Sequence, residues 1–408
     1  MDFKVREYGR GSNIGEEELR EISRVFQTAD IFAYGPLRDK FEAEFAAYCG
    51  VNYAVSATSA TTALTMACQI LRLKEGDEII GTPQTFRATY IAAAGRKAAV
   101  KFADIDPVTL NIDPATIEDK ITPKTKAIFV MHYGGNPVDM DPVMEIAARR
   151  GLAVVEDAAH APGAGYKGRK IGTIADLTCF SFHSLKNMST LGEGGMLTTN
   201  NKQYADYAKK LRTMDLIGEQ VPRADTKIGP YEMSKKSIND HSGASFSHDY
   251  VSIDEWGNNI RMSELQAAVG SIQLKKLDDM NLRRTKAAER FTKGLSGIEG
   301  VIAPQTTPGG QNVWHLYPCF LDRAVVKASR DEFIHYLQDE KGIQIILRYF
   351  PVHLSDYMRF YGHKFGECPV CERVWFEQQL NLPMNPRMPD DEIDYTVESI
   401  REAVKRFS

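Results

Sequence analysis

Residues 152–157 read LAVVED, and residues 178–186 read TCFSFHSLK. The first stretch opens with a short apolar run flanked by Gly and charged residues, which is typical of a strand buried on both faces of a sheet. The second opens with a strand that ends near Phe182. Asp157 follows the first strand and Lys186 follows the second. Because open α/β sheets place their ligands at the carboxyl ends of parallel strands, both side chains are predicted to face one site.

The same kind of pattern extends outward on both sides of these two stretches. Short runs rich in apolar and β-branched residues alternate with segments that have apolar residues at helical spacing. This alternation predicts a parallel sheet covered by helices. The predicted strands are 53–55, 78–80, 99–102, 127–131, 152–155, 178–182 and 195–199. The predicted helices are 16–26, 37–48, 61–71, 85–94, 142–150, one that ends near 212, and 262–277.

The second half of the chain differs in character from the first. Residues 214–256 are polar and weakly periodic, and the segment is longer than most structureless connections, so we predict a lid or subunit-contact insertion. Beyond the predicted helix 262–277, a capping box at Ser329 and Glu332 opens another helix, which precedes an apolar run at 343–347. We predict a large domain over 1–256 that includes the insertion at about 214–256, and a smaller C-terminal α/β domain over 257–408.

Composition excludes several classes of protein. The 408 residues are 43% hydrophobic and 25% charged, as in folded globular chains. A formal net charge of -4 gives no general attraction for nucleic acid or for an anionic membrane. The charged N-terminus and the lack of a long apolar stretch predict a cytoplasmic enzyme without a membrane partner. Six scattered cysteines predict free thiols, and Cys368 and Cys371 lack further ligands at a recognisable spacing, so no metal site is predicted.

The pair of Lys186 and Asp157 matches the needs of pyridoxal phosphate (PLP) chemistry. A lysine amine forms a Schiff base with the cofactor, and a carboxylate near the pyridine nitrogen keeps that nitrogen protonated. Desolvation would lower the proton affinity of the amine and make it a usable nucleophile. Each residue alone has an ordinary alternative, because most lysines are solvated and Asp157 could be a helix N-cap.

A phosphate site is predicted where the segment Thr58–Ala63 follows a strand and opens a helix. Backbone N–H groups and hydroxyls converge there, and the helix dipole favours an anion. Ser181 could add a hydroxyl to the same phosphate, and Phe86 could lie over one face of the ring. The alternatives are a plain helix cap for the first segment and a plain core aromatic for Phe86.

Several ordered segments together resemble the DegT/DnrJ/StrS family of PLP-dependent sugar aminotransferases, and the resemblance covers nearly the whole chain. It implies the fold-type I PLP transferase architecture, with a mostly parallel central sheet flanked by helices. The matching segments are Gly35, Phe41-Glu42, Thr61–Leu64, Thr85-Phe86, Glu156–Ala161, Phe180–His183 with Lys186, Gly192–Gly195, Asn259–Met262, Glu264, Gln266–Ala268 and Pro351–His353.

The resemblance implies a role for each matching site residue. Lys186 looks like the Schiff-base lysine, Asp157 like the partner of the pyridine nitrogen, and His160 like the residue beside the ring. The implied phosphate contacts are Ala60, Thr61, Ser181 and, from the neighbouring subunit of a homodimer with shared active sites, Asn259. Ala60 departs from the Gly of many relatives, but a backbone donor survives this change. His353 matches a loop histidine that lies near the substrate region in relatives.

The implied activity is transfer of an amino group from glutamate or glutamine to a keto-sugar, expected to be nucleotide-linked, in amino-sugar biosynthesis. An alternative acceptor is a keto-cyclitol of an aminoglycoside-type pathway. Two alternatives of other classes are a non-catalytic PLP-binding sensor and another PLP reaction such as dehydration or desulfuration. Retained PLP without a half-reaction on any amino donor would favour the sensor, and release of ammonia or sulfide instead of a new amine would favour the other PLP reactions.

Overall fold

A computed structural model describes residues 3–7, 10–213, 226–228, 230–233 and 257–408. The strands in these residues are β1 Tyr53–Ala57, β2 Glu78–Gly81, β3 Ala99–Phe102, β4 Thr125–Met131, β5 Ala153–Asp157, β6 Gly165–Tyr166, β7 Arg169–Lys170, β8 Leu177–Ser181, β9 Gly195–Thr199, β10 Thr226–Ile228, β11 Tyr231–Met233, β12 Val301–Ile302, β13 Gly310–Gln311, β14 Tyr317–Leu321 and β15 Gln379–Leu382.

Seven of these strands form the central sheet of the described chain, in the order β1-β9-β8-β5-β4-β2-β3. The pairs β2/β3, β2/β4, β4/β5 and β5/β8 are parallel, whereas β9 runs antiparallel to both β1 and β8. The predicted α/β fold with a mostly parallel sheet is therefore confirmed. Strand β9, predicted at 195–199, departs from the parallel direction, because the chain returns from β8 to β9 without the crossover helix that parallel neighbours require.

Helices of the first half of the chain flank this sheet, and those from residue 330 onward include the packing partners of the C-terminal strands and of the long helix Glu264–Leu295. The helices are α1 Glu16–Thr28, α2 Pro36–Cys49, α3 Ala60–Ile70, α4 Ala88–Gly95, α5 Met140–Arg150, α6 Lys202–Arg212, α7 Glu264–Leu295, α8 Arg330–His335, α9 Asp356–Phe360, α10 Pro369–Arg373 and α11 Asp390–Phe407. The predicted capping box opens α8, where Ser329 accepts a hydrogen bond from the backbone N–H of Glu332.

Two helix boundaries differ from the sequence-based prediction by more than about two residues. The helix predicted at 85–94 begins only at Ala88. Thr85 precedes the helix and Thr89 lies in its first turn, and their hydroxyls form a hydrogen bond of 2.7 Å. Side-chain hydrogen bonds of this kind compete with helical backbone bonding. Helix α7 continues to Leu295, well beyond the predicted end at 277, because its buried face persists through Phe291 and Leu295.

The core lies on both faces of the central sheet. Alternate residues along a strand enter different apolar clusters: Val154 of β5 joins one cluster with α2 and α5, and Val155 joins another with α3 and α4. This alternation is the period-two geometry of a strand covered on both sides. A third cluster contains residues from Ala287 onward together with Val5 near the N-terminus. The domain division at residue 256 stays a prediction.

The predicted insertion at 214–256 lies outside the described residues, apart from the hairpin formed by β10 and β11. Among the described helices, none is long and apolar enough to cross a membrane.

Candidate active site

A cavity of about 390 Å³ opens at the carboxyl ends of β4, β5 and β8, where Met131, Asp157 and Ser181 are the last strand residues. This volume is in the usual range for small-molecule sites. Seven of the eight predicted site residues lie in its wall, namely Ala60, Thr61, Phe86, Asp157, His160, Ser181 and Lys186. The eighth, Asn259, is exposed and lies outside this wall, so its contribution to a partner subunit's site stays a prediction.

Asp157 is buried at the end of β5, and both of its carboxylate oxygens accept hydrogen bonds. The Thr89 hydroxyl donates to Oδ2 over 2.7 Å, and the Ala159 backbone N–H donates to Oδ1 over 3.1 Å. Burial raises the pKa of this carboxyl, whereas the two donors and the nearby Lys186 charge oppose the rise. The carboxylate is therefore held ready to stabilise a positive charge placed beside it.

Lys186 follows the strand β8, which pairs directly with β5. Its side chain is partly accessible from the cavity and is otherwise enclosed by protein. This burial lowers the pKa of the ammonium to about 7; the Asp157 charge acts against the decrease, and the Arg348 charge adds to it. A large fraction of the amine is consequently neutral near pH 7, as a nucleophilic lysine requires.

The loop that carries Lys186 is packed against Gly11. The Gly11 N–H donates to the Ser184 carbonyl over 2.8 Å, and a Cβ at Gly11 would lie 2.0 Å from the Leu185 carbonyl oxygen. Only a residue without a side chain allows this close approach. The N-terminal segment thus fixes the position of the lysine loop.

The N-terminus of α3 forms an anion-binding end of the cavity. Ser59 is the N-cap and accepts the Thr62 N–H over 3.2 Å, while Ala60 and Thr61 begin the helix at the cavity wall. The first N–H groups of a helix have no partner within the helix, and its dipole favours an anion there. Strand β9 approaches this turn so closely that a Cβ at Gly195 would lie 2.3 Å from the Ser59 carbonyl carbon.

His160 has a defined tautomer. Its Nδ1 accepts the Gly134 backbone N–H over 3.2 Å, so the ring proton resides on Nε2, which donates to the Tyr349 hydroxyl over 3.0 Å. Burial lowers the pKa of His160 well below its usual value, and the Lys186 and Arg348 charges add to this effect. The ring also stacks with Tyr349, with centroids 5.8 Å apart. His160 is thus a neutral, fixed surface of the cavity.

Four side chains of the site were missed by the sequence analysis. Thr89 lies four residues after Thr85, and in the helix predicted at 85–94 this spacing would place both hydroxyls on one face. Arg348 and Tyr349 directly follow the apolar run 343–347, and residues at the end of such a run are natural site candidates. His315 also lines the cavity, and its ring centroid lies 4.2 Å from that of His160. No local sequence signal indicated His315.

Two features noted in the sequence lie outside the cavity wall. His353 is fully buried, and its Nε2 lies 2.8 Å from Glu372 Oε1, so the substrate-side position implied by the resemblance is not seen in this chain. Cys368 and Cys371 are buried free thiols. In the described part of the chain, no group of three or more His, Cys, Asp or Glu side chains is arranged to hold a metal ion.

The residues of the cavity fit PLP. A helix N-terminus with a close backbone approach at Gly195 suits the phosphate, the buried Asp157 carboxylate suits a protonated ring nitrogen, and Lys186 supplies an amine of lowered pKa. These three groups come from separate elements that meet at one edge of the sheet, as expected of an α/β ligand site.

Comparisons with known proteins agree with this geometry. The model of the DegT/DnrJ/EryC1/StrS aminotransferase family matches residues 12–401. The spore coat polysaccharide biosynthesis protein SpsC of Bacillus subtilis (strain 168) is 39% identical, over 96% of this chain and 95% of the relative. The dTDP-3-amino-3,4,6-trideoxy-alpha-D-glucose transaminase of Streptomyces venezuelae is 34% identical, over 96% of this chain and 94% of the relative.

A solved structure extends the similarity to three dimensions. The crystal structure of S. venezuelae DesV in complex with a ketimine intermediate superimposes with a TM-score of 0.82 at 32% identity, and the match covers 96% of this chain and 95% of that chain. The predicted family, cofactor and enzyme class are thereby confirmed. The chain belongs to the DegT/DnrJ/EryC1/StrS aminotransferase family, whose enzymes depend on PLP.

Proposed function

We propose that the protein transfers the amino group of glutamate or glutamine to a nucleotide-linked keto-sugar in amino-sugar biosynthesis. The observation that carries this proposal is the convergence of Lys186 and Asp157, from the ends of two paired parallel strands, on a cavity with a helix N-terminus in its wall. The S. venezuelae relative, named as a transaminase for a dTDP-linked amino sugar, supports the choice of acceptor.

In this proposal Lys186 holds the cofactor covalently and later moves the proton. PLP, when bound, withdraws electrons from the carbon that carries the reacting nitrogen. Lys186, with a pKa lowered to about 7, can both accept a proton from substrate carbon at Nζ and return it at neutral pH. Asp157 stabilises the positive charge on the ring nitrogen, and the hydrogen bonds from Thr89 and Ala159 favour its ionised form against the effect of burial.

The remaining residues bind and orient. We assign the phosphate to the N–H groups of Ala60 and Thr61 and to the Ser181 hydroxyl. Phe86 and His160 are assigned to the surfaces around the ring, because both lie in the cavity wall. We further propose a cytoplasmic homodimer in which Asn259 of the partner subunit completes each site.

The test is a two-stage reaction with purified holoenzyme. The enzyme is first converted with L-glutamate or L-glutamine, freed of excess donor, and then mixed with a dTDP-linked keto-sugar or with a keto-cyclitol. Mass spectrometry of the acceptor is expected to show replacement of the carbonyl oxygen by an amine on the nucleotide-linked sugar. Amination of the cyclitol alone would contradict the proposed acceptor. Release of ammonia or sulfide without a new amine would contradict aminotransfer.

A further inference from the structure

Arg348 lies in the wall of the cavity, and the reaction described above gives it no role. Its guanidinium Nη2 donates to both oxygens of the Glu7 carboxylate, each over 2.9 Å. The pair is partly accessible, with 16% of the Arg348 side chain and 20% of the Glu7 side chain exposed. Within the described residues, no hydrogen bond engages Arg348 Nε or Nη1, so these donors are available to a bound anion.

The backbone at Arg348 is held firmly, which makes its side chain a defined feature of the site. Its N–H donates to Asn381 Oδ1 over 3.1 Å, and its carbonyl accepts from Gln84, Gln379 and the Tyr133 hydroxyl. The next residue, Tyr349, is fixed by its bond to His160. Loss of the guanidinium alone would leave all of these contacts in place.

The charges around the cavity leave one position for a carboxylate. Among the described wall residues, the formally charged side chains other than histidine are Asp157, Lys186, Glu193 and Arg348. In the proposed function Lys186 would hold the cofactor, and the N-terminus of α3 would bind its phosphate. Among these residues Arg348 is therefore the permanently charged cation that remains available to a substrate. Its planar guanidinium can pair with a carboxylate through two parallel N–H donors.

The position of Arg348 favours the amino donor over the sugar nucleotide. Arg348 and Lys186 lie in the wall of the same cavity, and Tyr349, the residue after Arg348, bonds His160 in that wall. The Arg348 charge also lowers the pKa of Lys186 and of His160. In an amino acid the α-carboxylate is attached to the very carbon that reacts. In a sugar nucleotide the diphosphate is separated from the keto carbon by several bonds of the sugar ring.

We infer that Arg348 binds the α-carboxylate of the amino donor, and that Glu7 is an internal carboxylate that competes with the donor for the same guanidinium. This inference rests on the proposed function for the identity of the donor. Glu7 is well placed for such competition, because the N-terminal segment is anchored independently by backbone bonds between Val5 and both Gly342 and Gln344. Removing its charge would leave the segment attached.

Two substitutions separate the two roles. Arg348→Gln removes the charge and the planar fork, and is expected to weaken carboxylate binding at least about tenfold. Glu7→Gln keeps an oxygen that can accept from Arg348 but removes the competing charge, and is expected to tighten carboxylate binding by about two- to fivefold. Arg290→Gln is the matched control, because Arg290 forms an exposed ion pair with Asp390 and Asp394 away from the cavity.

The experiment measures binding to PLP-loaded protein by calorimetry, with glutarate as the carboxylate probe and dTDP as the diphosphate probe. Glutarate has no amine, so this measurement does not depend on turnover and stands even if the proposed aminotransfer fails. In parallel, the donor half-reaction is followed with L-glutamate, and the reverse half-reaction with a nucleotide-linked amino sugar. We expect Arg348→Gln to weaken the binding of glutarate and to impair the half-reaction with L-glutamate. The binding of dTDP and the reverse half-reaction with the amino sugar should be unchanged.

Four results would overturn the inference. Unchanged glutarate binding in Arg348→Gln would show that Arg348 does not bind the carboxylate. Weakened dTDP binding with unchanged glutarate binding would assign Arg348 to the sugar nucleotide instead. Weaker glutarate binding in Glu7→Gln would show that Glu7 positions the guanidinium and does not compete for it. If Arg290→Gln weakens glutarate binding as much as Arg348→Gln does, the effect comes from the net charge of the protein and not from a contact with Arg348.

Discussion

The hydrogen bond from Thr89 to Asp157 is expected to set the acid limit of catalysis. Thr89→Val keeps the shape of the side chain and removes the donor that lies 2.7 Å from Asp157 Oδ2. A hydrogen bond to a charged group contributes about 1.5–3 kcal/mol, which is roughly a 10- to 150-fold change in the protonation equilibrium. Because burial already raises the pKa of Asp157 and Thr89 opposes that rise, the substitution raises the pKa further.

A higher pKa leaves less ionised Asp157 at a given pH, so the acid limb of the rate profile should move to higher pH by about one to two pH units. The assay is the single-turnover donor half-reaction of holoenzyme with L-glutamate, followed by absorbance between pH 5 and 9. Thr89→Ser keeps a hydroxyl at this position, so the acid limb of its rate profile is expected to lie at the wild-type pH. An unmoved acid limb in a Thr89→Val protein that melts like the wild type would refute this role of Thr89.

Three further predictions concern the lysine and the glycines around the site. The rate at which apoprotein captures PLP should rise with pH around a midpoint of about 7, because only the neutral Lys186 amine attacks an aldehyde; a midpoint above 10 would contradict the lowered pKa. Gly195→Ala should weaken PLP binding at least tenfold in an absorbance titration, since its Cβ would lie 2.3 Å from the Ser59 carbonyl carbon; unchanged binding would contradict the close approach. Gly11→Ala should destabilise the protein by about 1–3 kcal/mol in thermal unfolding, because its Cβ would overlap the lysine loop. Gly297→Ala is the control, because its Cβ meets nothing within 4 Å. Equal melting temperatures of the two variants would argue against tight packing at Gly11.

The parts of the fold that depend on local pattern were predictable from the sequence. The buried strands at β4 and β5 appear as short apolar runs, and Ser59 to Thr62 has the composition of a helix start. Parallel strand order then places Asp157 and Lys186 at one edge, as the sequence indicated. These features need only residue type and spacing, together with a general rule for open sheets.

The parts that depend on long-range packing were not predictable in this way. The partner of His160 is Tyr349, which lies far along the chain, and the partner of Arg348 is Glu7, near the other end of the sequence. No periodicity in a single sequence encodes such pairs. The antiparallel direction of β9 was also missed, because a strand has the same apolar pattern whichever way it runs.

The absorption spectrum of purified holoenzyme, before and after addition of L-glutamate or L-glutamine, tests the central claim most directly. The account predicts a cofactor band near the edge of the visible range that one of these donors converts to the pyridoxamine form. Lys186→Ala is expected to lose the covalent band and turnover. Failure of the wild type to form the band when PLP is supplied, or near-normal turnover by Lys186→Ala, would contradict the assignment of Lys186 and the mechanism built on it.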